Sequence, residues 1–228
     1  MSHKHPSTAI EREFELERVA LFSDAVFAIA ITLLIIDIKW PEGGEHGAED
    51  SPWKHIQPMF LSFAALVISF FFIGRFWSLH LQLFRMLKKY NQGLIKRNLL
   101  FLFFIVTFPF TAAGIAGHVR EGFLLPLYLY FINITALSAA HFALCRYIVR
   151  EKSSLSVEGF AAEKKYFYMR ALYTTLALAA TLVVLIIVDL ASGGKLEYVT
   201  WTPASIALFL ILARKKIKKY KPANVEEY

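Results

Sequence analysis

The sequence predicts an all-α integral membrane protein of six transmembrane helices, and three observations carry that expectation. Of 228 residues, 57% are apolar and 15% aromatic, and the mean hydropathy is +0.48, all above ordinary globular usage. The apolar residues fall into six runs parted by short polar links, each run being weighed against bilayer thickness. Lys and Arg gather in every second link, as the positive-inside rule requires of a multi-span chain.

The first run, residues 19–38, holds 20 residues, which is about 30 Å of helix and matches the hydrocarbon layer of a bilayer. Glu11, Glu13, Glu15 and Glu17 precede it. That charge is opposite to a secretory signal, so the run is expected to be retained as a span, with its helix starting in the cytosol around Ile10. The second run, about 56–84, has Trp53 near one interface and Arg85, Lys88 and Lys89 closing the other; Arg75 and His80 interrupt it. The third, about 94–116, contains Pro109, which should kink it, while Thr111, Ala112, Ala113 and Gly114 allow close helix approach. The fourth, about 123–148, opens near Pro126 and carries Asn133, Thr135, Ser138 and His141. The fifth is about 166–188. The sixth, about 199–213, is short and is expected to borrow Leu196 and snorkelling lysines to match the bilayer.

Orientation follows from the basic residues. The second-to-third link, the fourth-to-fifth link and the tail together hold 17 Lys and Arg, against 4 in the opposite links (Lys39, Lys54, Arg120 and Lys195). Both termini are therefore expected in the cytosol. The expected organisation is a cytosolic segment over 1–18, a six-helix membrane domain over 19–213 and a basic cytosolic tail over 214–228. A net charge of +7 could suggest nucleic acid, but its basic residues sit in clusters between apolar runs rather than on one face, so no nucleic-acid partner is expected. The lone Cys145 allows no intrachain disulfide. The acidic first external link, with Glu42, Glu45, Glu49 and Asp50, reads as a solvated loop or a weak attractor of cations.

Catalytic signatures are missing from the sequence: there is no HExxH, GxSxG, GxxxxGK[ST], CxxC pair or EF-hand loop. Asp24 and Asp37 lie 13 residues apart, about 20 Å along one helix, and cannot act as an acid/base pair within one chain. An enzyme is not expected. What stands out instead is a set of polar residues at similar depth near the cytosolic side. Arg18, Ser23 and Asp24 start the first span, Trp77 and His80 lie near the end of the second, and Asn98 starts the third. An up, down, up path brings these ends together, and in lipid such groups must find one another. Such a cluster could merely glue three helices, or it could fix the rotation of the first helix and so decide what that helix presents elsewhere.

The string Arg18-x-x-x-Phe22-Ser23-Asp24, placed on the first of six spans and followed by a small, apolar helix, resembles the signature of the transmembrane protein 175 family, the potassium channels of endolysosomes and their single-unit prokaryotic homologues. The resemblance implies a homotetramer of six-span subunits in a prokaryotic plasma membrane, with four copies of the first helix lining a central pore. It further implies potassium as the permeant ion, no cofactor, and a constriction of apolar side chains. It gives Arg18, Phe22, Ser23 and Asp24, with Trp77, His80 and Asn98, the role of anchoring the pore helix.

The residues agree on one point of mechanism. No span carries a TVGYG-like loop, so a filter of backbone carbonyls is not available and side chains must select any ion that passes. Ile29, Leu33 and Ile36 form one stripe at helical spacing, while Ala25, Ala28 and Thr32 offer small surfaces. The candidate pore set is Ile29, Thr32, Leu33 and Ile36. A fourfold ring of Ile29 would be narrow and dry, favouring the cation that sheds water more cheaply, potassium over sodium. Asp37, one turn beyond Leu33, could form an acidic ring at the external mouth. Arg75 lies too deep for easy snorkelling and should need a partner such as Asp24, an Asn or a backbone carbonyl. Two other functions fit the same residues: a proton-coupled secondary transporter using Asp24, His80 and Arg75 as a relay, and a scaffold with no flux.

Overall fold

The computed structural model describes residues 9–36, 52–118, 124–151, 153–157, 161–199, 201–202 and 204–222. These residues form eight α-helices: α1 (Ala9–Leu33), α2 (Pro52–Phe84), α3 (Gln92–Val106), α4 (Phe108–His118), α5 (Leu125–Arg146), α6 (Ala161–Ser192), α7 (Leu196–Val199) and α8 (Ala204–Ile217). No β-strand occurs among the described residues.

Among the described residues, four stretches are long and apolar enough to cross a membrane: Ser62–Phe84, Gln92–Ile115, Leu125–Arg150 and Ala161–Ser192. They correspond to the second to fifth expected runs. The first run is helical as far as Leu33, then tightens through i to i−3 bonds, Leu34 N–H to Ile31 O at 3.3 Å and Ile36 N–H to Leu33 O at 3.2 Å. Ile36 therefore sits on a turn beyond the α-helix that carries Ile29 and Leu33. The sixth run is divided. The one-turn α7 precedes a 14-residue α8 that starts immediately after Pro203, because a proline disfavours helix at the residue before it and lacks the N–H to continue one.

Pro109 acts as its chemistry dictates. Without an N–H it cannot bond the carbonyl of Ile105, and the third run breaks at Thr107 into α3 and α4. Phe104 O, left near the break, accepts from Thr107 Oγ1 at 3.2 Å and from Asn133 Nδ2 of α5 at 3.3 Å; Thr107 Oγ1 also donates to Asn133 Oδ1 at 2.9 Å. A neighbouring helix thus supplies the hydrogen bonds that water would supply outside a membrane.

The main core lies where α1, α2, α3 and α5 meet, around Phe27, Ile73, Phe76, Phe101, Ile134 and Leu137. α6 packs on α5, and α8 on α6. The two basic links are clipped together: Leu87 and Ser156 form an antiparallel bridge, with Lys88 N–H to Leu155 O and Val157 N–H to Met86 O both at 2.8 Å. Asn91 caps α3 by accepting from Leu94 N–H at 2.8 Å and donates to Tyr147 Oη at 3.0 Å, while the Arg97 guanidinium lies 3.9 Å from the Tyr147 ring centroid. Gly93 is required beneath this tyrosine, since a Cβ there would stand 2.2 Å from Tyr147 Oη.

Candidate pore helix and its anchoring network

α1 has two unlike faces. Ser23, Phe27, Ala30 and Leu34 recur at i, i+4, i+7 and i+11 and are buried against α2 and α3. Phe27 meets the His80 ring at 5.8 Å and the Phe101 ring at 5.9 Å. The opposite face carries Phe22, Ala25, Ala28, Ile29, Thr32 and Leu33, with Ile36 beyond, and all are exposed on the single chain; Ile29 is 59% exposed and Ile36 69%. Thr32 does not offer its hydroxyl outward, because Oγ1 donates to Ile29 O at 2.8 Å. Asp37 lies outside the described residues.

The buried face is held by a directional chain of hydrogen bonds across three helices. His80 Nε2 donates to Asn98 Oδ1 at 2.9 Å, Asn98 Nδ2 donates to Ser23 Oγ at 2.9 Å, and Ser23 Oγ donates to Val19 O at 2.9 Å. Ser23, His80 and Asn98 are each 1% exposed or less. Since Asn98 uses its amide N–H on Ser23, its carbonyl oxygen is left as acceptor, and His80 must carry a proton on Nε2. The imidazole is held in plane by Phe84, with ring centroids 4.0 Å apart, and Phe101, at 5.7 Å and 5° from parallel. A second tie lies outside this core: Trp77 Nε1 donates to Asp24 Oδ1 at 2.8 Å. Asp24 and His80 thus engage different partners, and no hydrogen bond joins them directly.

The structure therefore brings Ser23, Asp24, Trp77, His80 and Asn98 into two adjoining ties. It does not draw in the whole sequence string. Phe22 is 53% exposed and shares the face of Ile29, and Arg18 is exposed about one turn earlier. Arg75 is exposed on α2. Sequence reasoning missed a further tie in the N-terminal half of the helix: Tyr90 Oη, in the α2–α3 link, donates to Glu15 Oε2 at 2.7 Å. That bond, foremost, raises the phenol's pKa above its usual 10.0, because losing the proton would put two anions side by side; some desolvation adds to the shift and Arg18 opposes it. The acidic residues before the first run were the available signal.

Among the described residues no group of His, Cys, Asp and Glu has the arrangement of a metal centre.

Residues 18–109 match the family described as "Endosomal/lysosomal potassium channel TMEM175". This stretch runs from within α1 to the start of α4 and so holds both ties. A potassium channel of Streptomyces collinus is 41% identical over 107 residues, which cover 47% of this chain but only half of that protein's length. A potassium channel of a Chryseobacterium species is 31% identical over 166 residues, covering 69% of this chain and 81% of the relative. The fold is that of a solved structure, a lysosomal potassium-selective channel TMEM175 homologue from Chamaesiphon minutus, with a TM-score of 0.68 at 19% identity, covering 91% of this chain and 99% of that one. No enzyme figures in these likenesses, and the length and identity of the Chryseobacterium match establish that the chain belongs to the TMEM175 family.

Proposed function

We propose that the chain is one subunit of a homotetrameric, potassium-selective channel in a prokaryotic plasma membrane, conducting passively through a constriction made by four copies of α1. The observation that carries this reading is the two-faced α1. Its inner face is fixed by buried hydrogen bonds, while its outer face, with Ile29, Leu33 and Ile36, is apolar and uncovered on the single chain. Helices of a lone subunit would expose such a face to lipid at no cost. A polar network of this kind, however, is costly in a membrane and serves to fix one rotation of the helix. The relatives named as potassium channels supply the ion.

In this reading Ile29, Leu33 and Ile36 form successive apolar rings, and Thr32, its hydroxyl turned to the backbone, behaves as a small apolar surface. Selection then comes from dehydration, which is cheaper for potassium than for sodium. Ser23, Asp24, Trp77, His80 and Asn98 are positioning residues. All six apolar runs span the membrane, α1 and α8 included, with residues 1–18 and 214–228 cytosolic; the clip between the two basic links supports placing both on one side. Asp37 marks the external mouth.

Potassium and sodium flux into liposomes containing the purified protein tests the proposal. Potassium flux should exceed sodium flux, and Ile29→Asn should reduce the ratio without loss of the oligomer. An oligomer that passes neither ion overturns it. Saturable flux coupled to a proton gradient would favour the transporter reading instead.

A further inference from the structure

The helix α8 is amphipathic along its length as well as around it. One side, with Phe209, Leu210, Ala213 and Ile217, packs against Tyr166, Tyr173 and Ala177 of α6. The other side carries Leu208, Ile211 and Leu212, exposed at 57%, 52% and 48%. Continuing that same side by i+3, i+4 and i+7 from Leu208 leads past Ile211 and Leu212 to Lys215, which is exposed, with Lys216 and Arg214 flanking it. The apolar stripe thus ends in cations about 10 Å further along the axis. Six of the eight residues 214–221 are Lys or Arg.

These cations are not on a loose tail. Ile217 is buried, residues Lys218–Tyr220 form a 3₁₀ turn, and Tyr220 packs on α6 beneath Lys165, whose Nζ is 5.3 Å from the ring centroid. The charges are therefore held in place before any ligand arrives, which removes part of the ordering cost of binding.

We propose that this side of α8 is a binding surface for an anionic phospholipid of the adjacent leaflet, with Leu208, Ile211 and Leu212 against the acyl chains and Lys215, Lys216 and Lys219 around the phosphate headgroup. An exposed apolar stripe leading into fixed cations, at the end of a helix in a membrane bundle, is complementary to that one class of molecule in both polarity and charge. A soluble phosphate would use the cations and leave the stripe idle. The proposal is independent of potassium conduction.

The test is lipid retention. Purified protein is exchanged into equimolar phosphatidylglycerol and phosphatidylcholine, and the lipid that remains bound is extracted and quantified. Wild type should retain phosphatidylglycerol in several-fold excess. Lys215→Gln should reduce that preference by up to about five-fold, the effect of one cation near a membrane surface. The combination of Lys215→Gln, Lys216→Gln and Lys219→Gln should bring it near parity, and if that variant does not yield folded oligomer, the single variant decides. Arg85→Gln with Lys89→Gln, two exposed cations of the other basic link, should leave the preference unchanged. Equal retention by wild type and Lys215→Gln overturns the proposal. So does an equal loss in the Arg85 and Lys89 variant, or displacement of the bound lipid by millimolar glycerol 3-phosphate.

Discussion

Asn98 donates from α3 to Ser23 of α1 at 2.9 Å while accepting from His80 of α2 at 2.9 Å, so a single buried amide joins three helices. Both ends of the amide are used. Removing it strands two buried partners at once, whereas removing Ser23 strands only an N–H. Asn98→Ala should therefore destabilise the folded protein by about 1–3 kcal/mol, and Ser23→Ala by about 0.6 kcal/mol, the average for such bonds in membrane proteins. Thermal unfolding in detergent measures the order, and equal losses would mean that the amide is not the centre of the tie.

The two faces of α1 should respond differently to truncation. Phe27 is 1% exposed and Ile29 59%. Phe27→Ala should cost about 3–5 kcal/mol in stability and reduce the yield of folded oligomer. Ile29→Ala should leave thermal stability nearly unchanged and raise sodium flux relative to potassium flux. An Ile29→Ala protein with unchanged selectivity would remove this residue from the constriction.

Gly93 and Tyr147 should prove coupled. A Cβ at position 93 meets Tyr147 Oη and must push the ring away from Asn91 and Arg97. Gly93→Ala alone should destabilise by about 1–3 kcal/mol. In the background of Tyr147→Ala the same change should be nearly neutral, and a double-mutant cycle by chemical unfolding reads the difference.

The Tyr90–Glu15 bond sets a pH dependence whose sign is fixed. The folded-state pKa of Tyr90 is raised above the unfolded value of 10.0, so the bond's contribution is fully present below pH 10 and is lost as pH rises through the folded value. The melting temperature of wild type should exceed that of Tyr90→Phe at pH 8, and the gap should close above pH 10. A gap that persists into strong alkali would show that the phenol's packing, not its proton, is what matters.

Much of the anchoring network was legible in the sequence because each member is a polar intruder in an apolar run, and an alternating path through the bilayer leaves few places where Ser23, His80 and Asn98 can meet. The rotation of each residue was not legible. Phe22, Ser23 and Asp24 are consecutive, and neighbours on a helix point about 100° apart, so no more than part of such a string can face one partner; the tertiary contacts of Ser23 with Asn98 turn it inward and leave Phe22 outside. The break at Thr107 could be read from Pro109, but its closure by Asn133 could not, since nothing local links residues 29 apart. The clip between Leu87 and Ser156 has no sequence signature either, being a backbone pairing indifferent to side chains. The divided sixth run was legible in principle, for Pro203 stands within it.

The closure of the α3–α4 break has a consequence for how the chain is made. Ribosomes add residues in order, and Asn133 emerges 29 positions after the Phe104 carbonyl it bonds, an interval of about 1.5–6 s at ordinary synthesis rates. During that interval the bent segment must exist without its final partner. Thr107, three residues from Phe104 and donating to the same carbonyl at 3.2 Å, is the local donor within that carbonyl's reach before Asn133 is made.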